Sequence, residues 1–232
     1  VTPRDSTPAL LNAVRSAPAL LFDFDGTLAP NLDLAGMKAQ VIALTRCWKV
    51  PDAEFAGAHI VEITELAAAW LTQHEGAAPA GLYAREAATL IRDFELDAAA
   101  DTDPFPTAPP LLMQWRKLGR ASAVVTRNCR AAVLATYPQL NLHTDALLAR
   151  DDVPHLKPDP RHLRLAIRQL DVEAGPSIMV GDGAMDMQIG RALGMYCLGV
   201  ESGSNTAQAL QGAGAHWVAE HIGALLELVH EL

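Results

Sequence analysis

Two aspartates one residue apart, Asp23 and Asp25, follow an apolar run in "LLFDFDGTLAP" (residues 20–30). Neighbouring carboxylates raise each other's pKa unless a cation is present. A bound divalent metal resolves the conflict, and oxygen-only ligands suit magnesium. One carboxylate could then attack a phosphorus atom while the other moves protons. Gly26 lets the chain turn close to whatever Asp23 binds. The same letters also describe an ordinary turn after a strand, where Asp and Gly are common. "DFDG" alone does not choose between the two readings.

Three further stretches carry matching chemistry. "VVTRN" holds Thr126, Arg127 and Asn128. A hydroxyl and a helix-opening backbone bind phosphate oxygens, or they cap a helix. "HLKPDP" holds Lys157 just before Pro158 and Pro160, which bracket the start of a helix; the lysine can neutralise phosphate and crowded carboxylates, or it is a solvated surface lysine. "VGDGAMD" holds Asp182, suited to be a second metal ligand, and Asp186 one helical turn on. Asp186 can reach a metal through water or hold Lys157; the alternative is a capped helix start. Taken singly these signals are weak, but together they describe one site.

A shared scaffold must bring these stretches together. "PALLFD" (18–23), "ASAVVT" (121–126), "DALLA" (145–149), "SIMVGD" (177–182) and "MYCLGV" (195–200) are short apolar runs, with a weaker sixth in "HWVA" (216–219). Such runs suit buried parallel strands. Helical stretches are predicted between them at about 107–118, 128–136, 159–170, 184–193, 205–212 and 221–231. The alternation predicts an α/β fold, a parallel sheet with helices on both faces. In open sheets of this kind ligands bind at the carboxyl ends of the strands, where all four stretches fall.

Residues 31–105 break the alternation. They read as helices at about 35–48, 52–75 and 80–98, punctuated by Pro51 and by "GAAPAG" (76–81). "DTDPFPTAPP" (101–110) reads as the return linker. The expected organisation is an N-terminal extension at 1–18, a core at 19–30 and 106–232, and an all-helical insert at 31–105. The insert carries twelve Asp/Glu against five Lys/Arg, a net −7. That disfavours a large polyanionic substrate, although a solvated acidic surface explains it as well.

The 232 residues carry a formal net charge of −9, which argues against a nucleic-acid partner. No apolar run approaches the ~20 residues of a membrane span, and no membrane association is expected. The segment before Pro18 has an early Asp5 and no long apolar centre, a poor secretion signal. Cys47, Cys129 and Cys197 are odd in number and form no CxxC, which fits a reducing compartment without structural zinc. The expected location is the cytoplasm, for a monomer or homodimer. His59, His74, His143, His155 and His162 show no metal-ligand spacing, and His155 alone is expected to approach the site.

On "DFDGT", "VVT", the lysine of "LKPDP" and "GDGAMD", in that order, the chain resembles the haloacid dehalogenase superfamily of hydrolases, most of all its phosphoglycolate phosphatase-like branch. The resemblance covers about 19–30 and 106–232. It implies a Rossmann-like core with an inserted helical cap domain, Mg2+ as cofactor and a small phosphorylated metabolite as substrate. Asp23 would be the nucleophile that forms an aspartyl-phosphate. Asp25 would protonate the leaving oxygen, then activate water, and bind magnesium through its backbone carbonyl. Asp23 and Asp182 would supply carboxylate ligands, with Asp186 supporting the metal shell. Thr126 and Lys157 would grip the phosphoryl group, with Arg127 and Asn128 as further candidate phosphate-binding residues. The branch often places asparagine directly after the threonine; here Arg127 intervenes before Asn128, so Arg127 is either a substrate-anion contact or a structural residue. The resemblance leaves a phosphomutase as the main rival; a dehalogenase has no need of Asp25, and a non-catalytic binding protein has no need of the whole set.

Overall fold

The structure, a computed structural model, describes residues 7–232. Of the N-terminal extension, residues 1–6 lie outside the described residues; the rest opens with helix α1 (Thr7–Ser16), which the sequence reading did not anticipate. Contacts divide the chain into two compact units, one running through Asn31 and resuming at Ala99–Leu232, the other Leu32–Ala98.

Among the described residues the first unit contains six parallel strands, β1 (Ala19–Phe22), β2 (Ala121–Val125), β3 (Ala146–Leu148), β4 (Ile178–Gly181), β5 (Tyr196–Val200) and β6 (Trp217–Ala219), in the order β3-β2-β1-β4-β5-β6, and the helices α1, α5 (Ala108–Lys117), α6 (Arg130–Thr136), α7 (Leu140–His143), α8 (Pro160–Leu170), α9 (Ala184–Ala192), α10 (Ala207–Gly212) and α11 (Gly223–His230). Each predicted apolar run contains one of the strands. The interior strands β1 and β4 are buried throughout, as expected for strands covered on both faces. Alternate residues feed two cores. Leu20, Phe22, Val124 and Val180 pack with Leu111, Trp115 and Leu225 on one face. Leu21, Ala123, Val125 and Met179 pack with Leu163, Ala166 and Ile189 on the other.

The strand order reverses between β1 and β4, which pair in register with Phe22 opposite Val180. A crevice outside the carboxyl ends forms at such a switch point. Asp23 leaves β1 there and Asp182 leaves β4.

The second unit is helical, with no strand among its residues: α2 (Leu34–Cys47), a short 3-10 turn at Asp52–Glu54, α3 (Ile60–His74) and α4 (Ala77–Ala100). It has a core of its own, including Met37, Val41, Ile63, Leu71, Tyr83 and Ile91. The stretch predicted as one helix over 52–75 is broken at Phe55–His59. Gly57 adopts φ +79 there, and the Glu62 side chain accepts from the His59 N–H at 3.0 Å to start α3 afresh. "GAAPAG" separates the helices at Gly76, which adopts φ +96, but α4 starts at Ala77 rather than at about 80. Pro79 lies in its first turn, where a missing N–H costs nothing. The unit boundaries at 31/32 and 98/99 lie at or inside the predicted limits of the insert. The proline-rich return segment packs with the sheet unit, since the Phe105 N–H donates to the Leu28 carbonyl at 2.8 Å.

Candidate active site

The loop after β1 is a tight turn. The N–H groups of Thr27, Leu28 and Ala29 all donate to the Phe24 carbonyl, and Gly26 N–H donates to the Ala29 carbonyl at 2.8 Å. Gly26 has φ +76, and a Cβ there would lie 2.6 Å from the Asp182 carboxylate, so no other residue fits without displacing it. Phe24 and Leu28 are buried, which anchors the turn and leaves Asp23 and Asp25 at the sheet edge.

Lys157 is the hub of the site. It is 3% exposed, and its Nζ lies 2.8 Å from Asp23 Oδ1 and 2.8 Å from Asp186 Oδ1. Its backbone N–H donates to His162 Nδ1 at 3.2 Å, and His162 Nε2 lies 3.1 Å from the Leu148 carbonyl. These two bonds fit one neutral tautomer, with the proton on Nε2. Burial, then the nearby Lys157 charge, pushes His162 down to about 4, so the ring stays neutral. His155, the histidine expected near the site, instead faces Asp159 at 4.0 Å and is partly exposed. The helix that starts at Pro160, α8 (Pro160–Leu170), turns His162 inward and leaves His155 outside it.

The carboxylates share one lysine. Asp23 Oδ1 also accepts from the Phe24 N–H at 2.6 Å; both donors fall on Oδ1, leaving Oδ2 for an electrophile or a cation. Asp186, 1% exposed, accepts from Lys157 on Oδ1 and from the Gly183 N–H on Oδ2 at 3.0 Å. Burial, then the Asp23 charge, pushes it up to about 7. Burial and Asp23 likewise raise Asp182. Burial opposes the charge on Lys157, but Asp186 and Asp23 outweigh it and hold its pKa above the ordinary lysine value. One ammonium cannot neutralise three carboxylates, so the lysine stays charged and the excess negative charge favours a proton or a further cation.

Ligand atoms of Asp23, Asp182 and Asp186 lie within 4.8 Å of one another. The all-oxygen, negatively charged donor set fits magnesium. Asp186 already has a protein donor on each oxygen, which suits it to holding Lys157 more than to direct ligation.

A second loop shapes this donor set. The Ser204 N–H donates to Asp182 Oδ2 at 3.1 Å, Asn205 Nδ2 donates to the Asp182 carbonyl at 2.9 Å, and the Ser202 hydroxyl donates to the Gly26 carbonyl at 2.7 Å. Thr27 Oγ1 accepts from the Asp182 N–H at 3.1 Å. A Cβ at Gly203 would fall 1.8 Å from Asp182 Oδ2. The sequence reading gave no role to Thr27, Gly203, Asn205 or His162. "DFDGT" flagged Thr27 only as a motif letter, and no local signal marked the others.

The segment after β2 holds the remaining candidates. Thr126 is fully buried, and its hydroxyl accepts from the Asn128 N–H at 3.0 Å. Asn128, expected on phosphate, instead points Nδ2 at Asp25, 3.1 and 3.2 Å from its two oxygens. Arg127 Nη1 lies 3.3 Å from Met185 Sδ, beside the start of α9 (Ala184–Ala192). Cys129 is 2% exposed and caps α6 (Arg130–Thr136).

A parallel sheet that gathers carboxylates and one buried lysine at its switch point defines a Rossmann-like enzyme core built on an aspartate pair. The chain belongs to the haloacid dehalogenase-like hydrolase family, whose profile matches residues 17–194. It is 37% identical over 97 residues to the plasmid phosphoglycolate phosphatase of Cupriavidus necator, spanning 40% of this chain and 42% of that protein. It is 28% identical over 201 residues to the phosphoglycolate phosphatase of Mesorhizobium japonicum, spanning 81% and 84%. A crystal structure of a hydrolase from Pseudomonas syringae shares the fold, with a TM-score of 0.67 at 21% identity over 92% of this chain and 98% of that one.

Proposed function

We propose that this chain is a phosphatase that hydrolyses a small phosphate monoester of the phosphoglycolate type through a phosphorylated Asp23, with magnesium as cofactor. The observation that carries the reading is the Lys157 ammonium bridging Asp23 and Asp186 at 2.8 Å each, with Asp25 two residues after Asp23 in the chain. The two phosphoglycolate phosphatases that resemble the chain support the substrate class.

An oxygen of Asp23 attacks phosphorus as the bond to the leaving oxygen breaks. Asp25, protonated, gives its proton to that oxygen. Asp25 then takes a proton from water, whose oxygen bonds phosphorus while the Asp23–phosphorus bond breaks, releasing phosphate. Lys157 and the Thr126 hydroxyl hold the phosphoryl oxygens, whose charge is the main thing to be stabilised. Asp23, Asp182 and the Asp25 carbonyl would hold the magnesium, which would supply further neutralisation of those oxygens. The helical unit serves as the cap domain, and substrate choice is assigned to it.

A screen of phosphorylated metabolites, read as free phosphate with and without chelator, tests the proposal. The expected result is chelator-sensitive phosphate release, greatest with a small acidic ester. Isomerised sugar phosphate in place of free phosphate would make the chain a mutase, and undiminished activity in excess chelator would refute the metal.

A further inference from the structure

Asn128 is 5% exposed, and its surroundings fix its direction. Thr126 N–H donates to the Leu148 carbonyl at 3.1 Å, and Asn128 N–H donates to Thr126 Oγ1 at 3.0 Å. Arg150 holds the same turn from the other side. Its backbone N–H donates to the Asn128 carbonyl, and its Nη1 donates to the Arg127 carbonyl, both at 2.9 Å. A side chain on a turn clamped at these points has little room to swing.

That clamped side chain presents Nδ2 to both oxygens of Asp25, at 3.1 and 3.2 Å, from 103 residues away in sequence. The terminal torsion of an aspartate is broad, so partners set the plane of its carboxylate. Phosphate oxygens accept hydrogen bonds, and the amide offers only Nδ2 as a donor. Nδ2 is already on Asp25, and Oδ1 is buried with no protein partner among the described residues.

We propose that Asn128 is a positioning residue for Asp25, not a phosphate ligand. Its amide sets the carboxyl plane so that the Asp25 proton meets the leaving oxygen as the phosphorus–oxygen bond breaks. The same alignment lets Asp25 take a proton from the attacking water in the second half-reaction. This rests on the phosphatase reading above.

The test is single-turnover phosphoenzyme formation in the full chain with one alkyl and one aryl phosphate. Asn128→Ala is compared with wild type, with Asp25→Asn and with the double variant. Misplacing a proton donor by about 1 Å costs up to ~10²-fold. Asn128→Ala is therefore expected to slow the alkyl ester by ~10–100-fold, to slow the aryl ester far less because a phenolate leaves without a proton, and to leave KM unchanged. It is expected to add no further loss to Asp25→Asn and to leave competitive inhibition by inorganic phosphate unchanged. Asn128→Asp keeps the shape but turns an acceptor toward Asp25, and is expected to lose at least as much. Equal slowing of both esters, additive losses, or weakened inhibition by phosphate would overturn the assignment and make Asn128 a phosphate ligand. A wild-type chain that forms no phosphoenzyme from any ester would overturn the phosphatase reading itself, and this inference with it.

Discussion

At the carboxyl edge of the sheet, Lys157, Asp182 and Asp186 are each less than a tenth exposed, and each is held by other polar groups of the site. In the helical unit the charges largely face solvent, with Glu95, 2% exposed, as a buried exception. Its Arg46–Asp52 pair is more than half exposed on both sides, and residues 32–98 carry −5 of the formal −9. The polar contact buried in its core is neutral: Tyr83 Oη lies 2.8 Å from Thr45 Oγ1, which donates to the Val41 carbonyl at 2.8 Å. In the first region each charge is fixed by its neighbours, so removing one disturbs the rest. In the second, an exposed charge such as Arg46 or Asp52 can be exchanged with little structural consequence. This difference suits a core with one reaction to perform and an insert that is free to vary.

The largest expected effect comes from removing the hub. Lys157→Met leaves Asp23 and Asp186 buried without their counter-charge. Breaking a buried pair in this way costs about 3–5 kcal/mol, read by urea unfolding, and phosphate release is expected to vanish. Arg46→Met, at the exposed pair, is expected to leave the urea midpoint unchanged. Equal shifts in the two variants would erase the contrast between the regions.

Next in size is the loop that seats Asp182. In Gly203→Ala the new methyl must displace the carboxylate. Loss of a group that orients a metal ligand typically costs ~10–100-fold in affinity. Calorimetric titration with magnesium is expected to show a loss in that range, and an unchanged affinity would mean that Asp182 does not hold the metal.

A pH-dependent contribution follows from His162. Its pKa is 6.5 when unperturbed and about 4 in the fold. Between those values the unfolded chain binds more protons, so this group's contribution to stability rises with pH across the window. Asp186 acts in the opposite sense between 3.8 and about 7, because its folded pKa is the higher one. Comparison with His162→Gln isolates the histidine. The stability advantage of wild type over the variant is expected to be largest above pH 6.5 and to shrink as pH falls toward 4. An advantage that grows on acidification would show that His162 is charged in the fold.

The smallest effect is expected in the helical unit. Tyr83→Phe removes one buried hydrogen bond but leaves Thr45 paired with Val41, at a cost of about 1 kcal/mol and with kcat unchanged. A fall in kcat would couple the interior of that unit to the chemistry.

The strands were legible because a strand covered on both faces is a continuous apolar run. Every predicted run contains its strand, with ends that move by a residue or so. The four motifs were legible because each is local and ends such a run. What escaped depended on contacts between distant segments. Thr27 meets Asp182 across 155 positions, and Gly203 matters only because Asp182 folds against it. His162 looked like any other histidine until the start of α8 turned it onto the Lys157 backbone. The break before α3 was hidden by alanine-rich composition, which favours helix on both sides of Gly57. Asn128 was grouped with the phosphate-binding candidates by its proximity to Thr126, while the contact of its amide with Asp25 joins positions 103 residues apart.

The central claim is that Asp23 carries the phosphoryl group. Rapid acid quench of the wild-type chain with substrate and magnesium, followed by peptide mass spectrometry, tests it directly. The expected result is a phosphoryl group on Asp23 in the wild type and none in Asp23→Asn, which should also release no phosphate. A phosphoryl group on another residue, or sustained turnover by Asp23→Asn, would contradict the account.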